Sequence, residues 1–208
     1  TSLQAALSIP ECVQRLSLRI SKIERPCPAL GKLAHLEYLD LLKNELQSLP
    51  PEIGDLKALK HLILSENSLH KLPRTISRMQ HLDVLQLDRN HLAELPSGIQ
   101  ELRQLRILDI SWNDFASLRT ELCGLPNLVT LEAKHNHLLF LPENIGSLEH
   151  LEILALDYNR LTTLPQSFVR LKQLKQLDLS FNRLESLPKD IGAMHSLKVL
   201  SLSDNKLT

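Results

Sequence analysis

Eight asparagines stand 23 residues apart without a slip, and this period constrains the fold more than any other feature of the chain. They are Asn44, Asn67, Asn90, Asn113, Asn136, Asn159, Asn182 and Asn205. A fixed period of this length is typical of repeat proteins. Each unit of such a protein buries its apolar side only by stacking on its neighbours. We therefore expect an array of repeats rather than an ordinary globular domain.

Each asparagine belongs to the frame L-x-x-L-x-L-x-x-N-x-L, as in residues 174–184. The x-L-x-L-x stretch alternates with period two, which predicts a short strand with its leucines pointing inward. The half that follows has the form L-P-x-x-I-x-x-L, as in Leu187, Pro188, Ile191 and Met194. Its proline suits the start of a helical or 3₁₀ turn, which would return the chain to the next strand. We expect the ninth-position asparagines to form a structural ladder that satisfies backbone groups left unpaired at the turn.

This frame is that of a leucine-rich repeat, and leucine accounts for 50 of the 208 residues. It predicts an α/β solenoid, a right-handed curved coil with a parallel β-sheet on its concave face and short helical or 3₁₀ turns on its convex face. We expect one domain over residues 1–208, with a partial or capping repeat at 1–12, eight 23-residue repeats at 13–196 and a partial ninth repeat at 197–208. Because an open apolar end is normally capped, we also expect the chain to be a fragment of a longer protein.

The clearest copies of the convex half, at residues 49–56 and 141–148, read L-P-x-x-I-G-x-L. This unbroken unit resembles the repeats of the intracellular Ras-group family, of the Scribble, Erbin and Ras suppressor type. The resemblance covers nearly the whole chain and implies a cytoplasmic signalling adaptor. It also implies a protein partner, such as a small GTPase or a phosphatase, through which the chain could attach peripherally to a membrane.

Composition narrows the class of partner. The 24 basic and 24 acidic residues give no basic excess, which argues against a nucleic-acid binder. The apolar runs are only a handful of residues long, so no membrane-spanning helix is expected.

Cys12, Cys27 and Cys123 are too few for a disulfide framework, and no N-x-[ST] sequon occurs. We expect a reducing compartment and read each cysteine as a small buried hydrophobe.

The sequence contains no catalytic constellation that we would assign. His61, His70, His81 and His91 occupy different repeat phases, so we expect them to be scattered around the coil rather than gathered on a metal. The glycines form no phosphate-binding loop. We therefore predict no enzymatic activity, no cofactor and no metal site.

The candidate partner-binding residues come from columns of equivalent positions. We expect the third, fifth and seventh positions to face the concave side and the eighth and tenth to line its rim. Five acids and one base form an acidic trough: Asp88, Asp109, Glu132, Asp157 and Asp178 with Lys134. Four rings at the eighth position form an aromatic ridge: Trp112, His135, Tyr158 and Phe181. Four residues at the tenth position form a basic column beside the ridge: His137, Arg160, Arg183 and Lys206. Ordinary solvation of a sheet would also explain the acids, and rings that merely shield the asparagine ladder would also explain the ridge.

We predict a non-enzymatic protein–protein interaction scaffold, with its partner on the concave face and rim. Two alternatives remain open. The chain could be the regulatory domain of a larger enzyme, such as a kinase, cyclase or ubiquitin ligase. It could also be part of an extracellular recognition receptor.

Overall fold

A computed structural model describes residues 3–208 of the chain. The described chain begins with a short α-helix, α1 (Leu3–Leu7), and then alternates strands with 3₁₀ helices. The strands are β1 (Arg15–Ser17), β2 (Tyr38–Asp40), β3 (His61–Ile63), β4 (Val84–Gln86), β5 (Ile107–Asp109), β6 (Thr130–Glu132), β7 (Ile153–Ala155), β8 (Gln176–Asp178) and β9 (Val199–Ser201). The 3₁₀ helices are η1 (Pro28–Lys32), η2 (Pro51–Asp55), η3 (Arg74–Arg78), η4 (Ile99–Glu101), η5 (Thr120–Gly124), η6 (Ile145–Ser147), η7 (Gln166–Arg170) and η8 (Ile191–Ala193).

The nine strands form one sheet in chain order, and every neighbouring pair is parallel. The register between neighbours is 23 residues, so Leu108 of β5 pairs with Leu131 of β6 and Asp109 pairs with Glu132. Because the register equals the repeat length, residues at the same repeat position line up across the sheet. The predicted leucine-rich repeat solenoid is confirmed.

The core is a stack of leucines contributed by every repeat. In β5 the central Leu108 is fully buried, and Ile107 and Asp109 on either side of it are not. The two largest fully buried side chains, Phe115 and Phe168, fill the interior between the sheet and the convex turns. The alternation that the frame predicted therefore sets which side chains reach the concave surface.

A proline immediately precedes several of the 3₁₀ helices on the convex side. Pro50, Pro73 and Pro165 are the residues that precede η2, η3 and η7. Two repeats lack this proline but still form the turn, because Cys27 and Arg119 adopt the same extended conformation before η1 and η5. These substitutions therefore leave the convex side in register.

The two ends of the described chain are less well covered than its middle. In β9, Leu200 is 42% exposed, whereas the equivalent Leu108 is fully buried. At the other end, Leu3 and Leu7 of α1 are partly buried against the core. The partial repeat expected at 1–12 begins with residues 1 and 2, which lie outside the described residues.

The cysteines differ from the expectation that all three are buried. Cys123 is buried, but Cys12 and Cys27 are exposed, and all three are free thiols. Cys123 occupies a convex position that packs against the next turn, where Ser147 donates a hydrogen bond to its carbonyl oxygen. Cys12 lies in the turn after α1, and Cys27 stands at the exposed entrance to η1. The prediction was wrong for these two residues, since Cys12 precedes the first full repeat and Cys27 lies where that repeat departs from the frame.

Candidate functional site

The eighth residue of every repeat has a left-handed backbone, although none of these residues is glycine. Their φ angles lie between 48° and 55° for Ile20, Lys43, Glu66, Arg89, Trp112, His135, Tyr158, Phe181 and Asp204. This conformation costs a non-glycine residue about 1–2 kcal/mol, so it persists only where surrounding contacts hold it. It turns the chain away from the strand and places each eighth side chain on the rim of the sheet. Sequence reasoning missed this feature, since no glycine marks the position.

In every repeat after the first, the ninth-position asparagine makes hydrogen bonds around this turn. In Asn136 the side-chain amide donates to the carbonyl oxygens of Ile110, Ala133 and Lys134 at 3.0–3.2 Å. Its own side-chain oxygen accepts the backbone N–H of Phe115, 21 residues earlier, at 3.1 Å. Each asparagine therefore ties its repeat to the one before it.

The asparagines also share acceptors, which makes the ladder continuous. The carbonyl oxygen of Ile110 accepts from both Asn113 and Asn136, and that of Ala133 accepts from both Asn136 and Asn159. The same pattern runs through Asn44, Asn67, Asn90, Asn113, Asn136, Asn159, Asn182 and Asn205. The first repeat has Ser21 at this position. The Ser21 hydroxyl donates to the Arg19 carbonyl oxygen of the same repeat, at 3.1 Å.

The four residues of the aromatic ridge lie in direct contact with one another. Ring centroids are 3.6 Å apart for Trp112 and His135, 4.1 Å for His135 and Tyr158, and 4.2 Å for Tyr158 and Phe181. The planes of adjacent rings differ by only 9–14°. Burial lowers the pKa of His135, which favours the neutral form of the imidazole in the stack. The ridge is therefore one continuous stack of four rings.

The ridge is also open to solvent. Trp112 is 46% exposed, Tyr158 43% and Phe181 41%. At one end of the stack the Arg89 guanidinium lies 5.1 Å from the centre of the Trp112 ring, within cation–π distance. Arg89 was not among the predicted site residues, although it occupies the same eighth position one repeat earlier.

The predicted trough residues lie along the carboxyl ends of neighbouring strands. Asp109, Glu132 and Asp178 end β5, β6 and β8, and Asp88 and Asp157 follow β4 and β7 by two residues. Burial raises the pKa of the Asp109 carboxyl, and the nearby Asp88 and Glu132 carboxylates raise it further. Burial and Asp178 likewise raise the pKa of the Asp157 carboxyl. The trough therefore concentrates negative charges that repel one another.

Lys134 is the only cation among the predicted trough residues. Its ammonium group lies 2.7 Å from the Glu132 carboxylate, and this hydrogen bond raises the pKa of Lys134. The pair neutralises one of the five acids. Asp109 has a further polar partner, because the backbone N–H of Ser111 donates to its carboxylate at 2.9 Å.

The basic column borders the opposite side of the ridge. An open groove of about 450 Å³ is lined by the four ridge rings together with His137, Arg160 and Arg183. Both arginines are exposed, and each donates its backbone N–H to the previous repeat, to Leu138 and Leu161 respectively, at 2.9 Å. The structure thus brings the ridge and the basic column into one surface.

The histidines are less scattered than the sequence suggested. The rings of His70 and His91 lie 5.3 Å apart, because the twelfth position of one repeat meets the tenth position of the next. His91 and His137 also flank the Asp114 carboxylate, with N–O distances of 3.7 and 3.9 Å. Within residues 3–208, however, no three His, Cys, Asp or Glu side chains are placed to hold a metal ion. No helix in this part of the chain is long and apolar enough to cross a bilayer.

Solved structures with this fold come from bacteria, plants and animals. A leucine-rich repeat protein of Leptospira interrogans is 30% identical, with a TM-score of 0.87 over all of this chain and 64% of that one. The plant peptide hormone receptor RGFR1, in complex with RGF2, is 31% identical, with a TM-score of 0.78 over 87% of this chain and 30% of that one. A chain of the Toll–Spatzle complex of Drosophila is 26% identical, with a TM-score of 0.84 over 95% of this chain and 27% of that one.

The chain spans less than two thirds of the length of these solved chains. Among curated proteins, none matches it closely enough to count as a relative. A family model described as a leucine-rich repeat region matches residues 13–138 and 134–207, which is nearly the whole sequence. The register of the sheet, the asparagine ladder and this match lead to one conclusion: the chain belongs to the leucine-rich repeat family, whose fold is typical of protein–protein interaction domains.

Proposed function

We propose that this chain is a non-enzymatic protein–protein interaction scaffold or adaptor, which binds its partner on the concave face and its rim. The observation that carries the proposal is the aromatic ridge, in which Trp112, Tyr158 and Phe181 remain more than 40% exposed. Aromatic residues of this kind are enriched among the side chains that contribute most to binding at protein interfaces. Three of the seven aromatic residues of the chain stand in this one column.

The rigidity of the ridge supports the same proposal. The stacked rings hold one another in place, and the asparagine ladder holds the backbone beneath them. A surface that is already ordered loses little conformational entropy when a partner binds. Rings that only shielded the ladder would not need to leave Trp112, Tyr158 and Phe181 open to solvent.

The trough supports a protein partner over a nucleic acid. The carboxylates of Asp88, Asp109, Asp157 and Asp178 make no ion pair with a described residue, so their charges would repel a phosphate backbone. A basic protein surface would instead gain attraction there, and such charges mainly accelerate association.

We infer an intracellular signalling role from the cysteines and from the Ras-group resemblance. Cys12 and Cys27 are exposed free thiols, which suits a reducing, cytoplasmic compartment. By the same resemblance, the partner would be a small GTPase, a phosphatase or another signalling protein, and membrane attachment would be peripheral and through that partner.

The second candidate is a recognition receptor, and the solved structures favour it. The plant peptide hormone receptor RGFR1 was solved in complex with RGF2, and the Drosophila match is a chain of the Toll–Spatzle complex. In a longer protein, this repeat array could bind an extracellular ligand in the same way, or it could regulate an attached enzymatic domain.

The test is a capture experiment with three baits. The wild-type chain, a ridge variant (Trp112→Ala with Tyr158→Ala) and a convex control (Glu143→Ala with Gln166→Ala) are exposed to cell lysate, and bound proteins are quantified by mass spectrometry. We expect one set of proteins to bind the wild-type chain and the control but not the ridge variant. The leading protein is then purified and titrated against all three, after circular dichroism has checked their folding. Capture that depends on the convex residues, or that is equal for all three baits, would show that the ridge is not the binding surface.

A further inference from the structure

We propose that the partner segment on the outer side of the aromatic ridge is an acidic amphipathic helix. Its carboxylates bind Arg160 and Arg183, and its apolar residues pack against the rings of the ridge. This inference rests on the proposed function and deepens it, because it names the chemistry and the secondary structure of the partner at one side of the site.

The first observation is that neither arginine is satisfied within the molecule. Four other arginines lie near a carboxylate: Arg19 near Asp40, Arg78 near Asp55, Arg103 near Glu101 and Arg119 near Glu94. Arg25, Arg74, Arg106 and Arg170 have no such partner among the described residues, but none of them lines the groove beside the ridge. Among the described residues, the guanidinium groups of Arg160 and Arg183 form neither an ion pair nor a hydrogen bond. A guanidinium group presents five donors in a planar fork that matches a carboxylate in bidentate fashion.

The second observation is the shape of the surface beside them. The groove of about 450 Å³ has ring edges on one side and the basic column on the other. Because adjacent rings are nearly parallel and in contact, they cover one another's faces and present their edges to solvent. A ring edge is the positive end of the aromatic quadrupole. The rings and the arginines therefore both favour an anionic group, while the ring carbons offer an apolar contact.

The spacing of the arginines points to a helix. Arg160 and Arg183 hold the same position in neighbouring repeats, so their backbones are one strand spacing apart, about 4.8 Å. On a helix, side chains at i and i+3 or i+4 are about 5–6 Å apart. On an extended strand, residues on one face repeat every two residues, about 6.6 Å apart. The spacing of two acidic residues one helical turn apart is therefore closer to the spacing of the two arginines than the spacing along an extended strand is.

The trough restricts where such a helix can lie. Asp157 and Asp178 precede Tyr158 and Phe181 in the same two repeats, and neither carboxylate lines the groove that the rings share with the arginines. An acidic helix that crossed the ridge would meet these carboxylates and be repelled. The helix is therefore confined to the outer side, and any part of the partner that enters the trough must be neutral or basic. The order of charges across the ridge thus sets the orientation of the complex.

The probe is a phage-displayed library of a single-helix scaffold randomised over one face, selected on the full chain. The strongest peptide is synthesised, and its Kd is measured by fluorescence anisotropy. The ridge variant carries Trp112→Ala and Tyr158→Ala, and the arginine variant carries Arg160→Glu and Arg183→Glu. Arg170→Glu is the matched control, since Arg170 is an exposed arginine at the end of η7 on the convex side.

We expect the selected helices to carry Asp or Glu at i and i+3 or i+4 beside an apolar stripe. Binding should weaken at least tenfold with both the ridge and the arginine variants and stay unchanged with Arg170→Glu. Replacing the two acids of the peptide by Lys should restore binding to the arginine variant. Peptides that need the ridge but not Arg160 and Arg183 would overturn this inference and leave the proposed function standing. Peptides that bind without the ridge, or a failure to select any peptide, would count against both.

Discussion

Replacing Asn136 by Ala tests whether the ladder holds the repeats together. The substitution removes four hydrogen bonds and leaves the buried N–H of Phe115 without a partner. The carbonyl oxygens of Ile110 and Ala133 each keep one asparagine donor, so they are weakened rather than orphaned. A buried unsatisfied group costs about 1–3 kcal/mol. With the weakened carbonyl bonds added, we expect the free energy of unfolding to fall by about 2–3 kcal/mol.

The matched control is Asn205→Ala, because Asn205 makes the same four kinds of hydrogen bond at the partly exposed end of the sheet. Water can replace a lost partner there, so we expect a loss below about 1 kcal/mol. Urea unfolding is followed by circular dichroism, and the slopes of the transitions are compared to check that the same surface unfolds. Equal unfolding midpoints for the two variants would refute the argument that burial makes the ladder essential.

Two further predictions concern charge and burial. Burial raises the pKa of the Asp109 carboxyl in the folded state. Above that pKa the ionised carboxylate therefore destabilises the fold, and this loss of stability disappears as the pH falls through the pKa. Asp109→Asn should therefore raise the urea midpoint at pH 7, with a gain that shrinks in acid; a gain independent of pH would contradict this. Because Leu200 is 42% exposed and Leu108 is fully buried, amide hydrogen exchange should be faster in β9 than in β5. Equal protection of the two strands, measured by mass spectrometry, would be the contrary result.

The repeat frame allowed the fold to be predicted almost completely, because one pattern specifies the strand, the turn and the register together. It did not reveal the left-handed backbone of the eighth residue. That conformation does not depend on the eighth residue itself, which ranges from Ile20 to Trp112, and it persists at Ile20, where Ser21 follows in place of asparagine. The sequence therefore identified the column that carries the ridge, but it could not show that the rings are in contact.

The first repeat shows the other limit of the pattern. There Cys27 stands where the frame expects proline, and reading it as a buried hydrophobe was wrong. The repeat pattern does not predict the burial of a residue that departs from it, so the burial of such a residue is known only from the structure. The proximity of His70 and His91 was missed for a related reason, since it depends on contacts between different positions of successive repeats.

The uniform backbone beneath the ridge implies that rings can be added to it without disturbing the fold. Arg89 already has the same left-handed φ, 55° against 54° for Trp112, and its side chain lies beside the Trp112 ring. In Arg89→Phe, a stacked ring pair worth about 0.5–1.5 kcal/mol would replace a cation–π contact worth about 0.5–1 kcal/mol. The stability should therefore change by less than about 1 kcal/mol.

The readout is the fluorescence of Trp112, which is the only tryptophan of the chain and is 46% exposed. A fifth ring should cover part of it, shift its emission to shorter wavelength and protect it from acrylamide quenching. Lys43→Phe is the control, since Lys43 has the same backbone conformation three repeats away and should leave the emission unchanged. If Arg89→Phe unfolds the chain or leaves Trp112 equally accessible, the ridge depends on its particular side chains and not on a backbone position shared by all repeats.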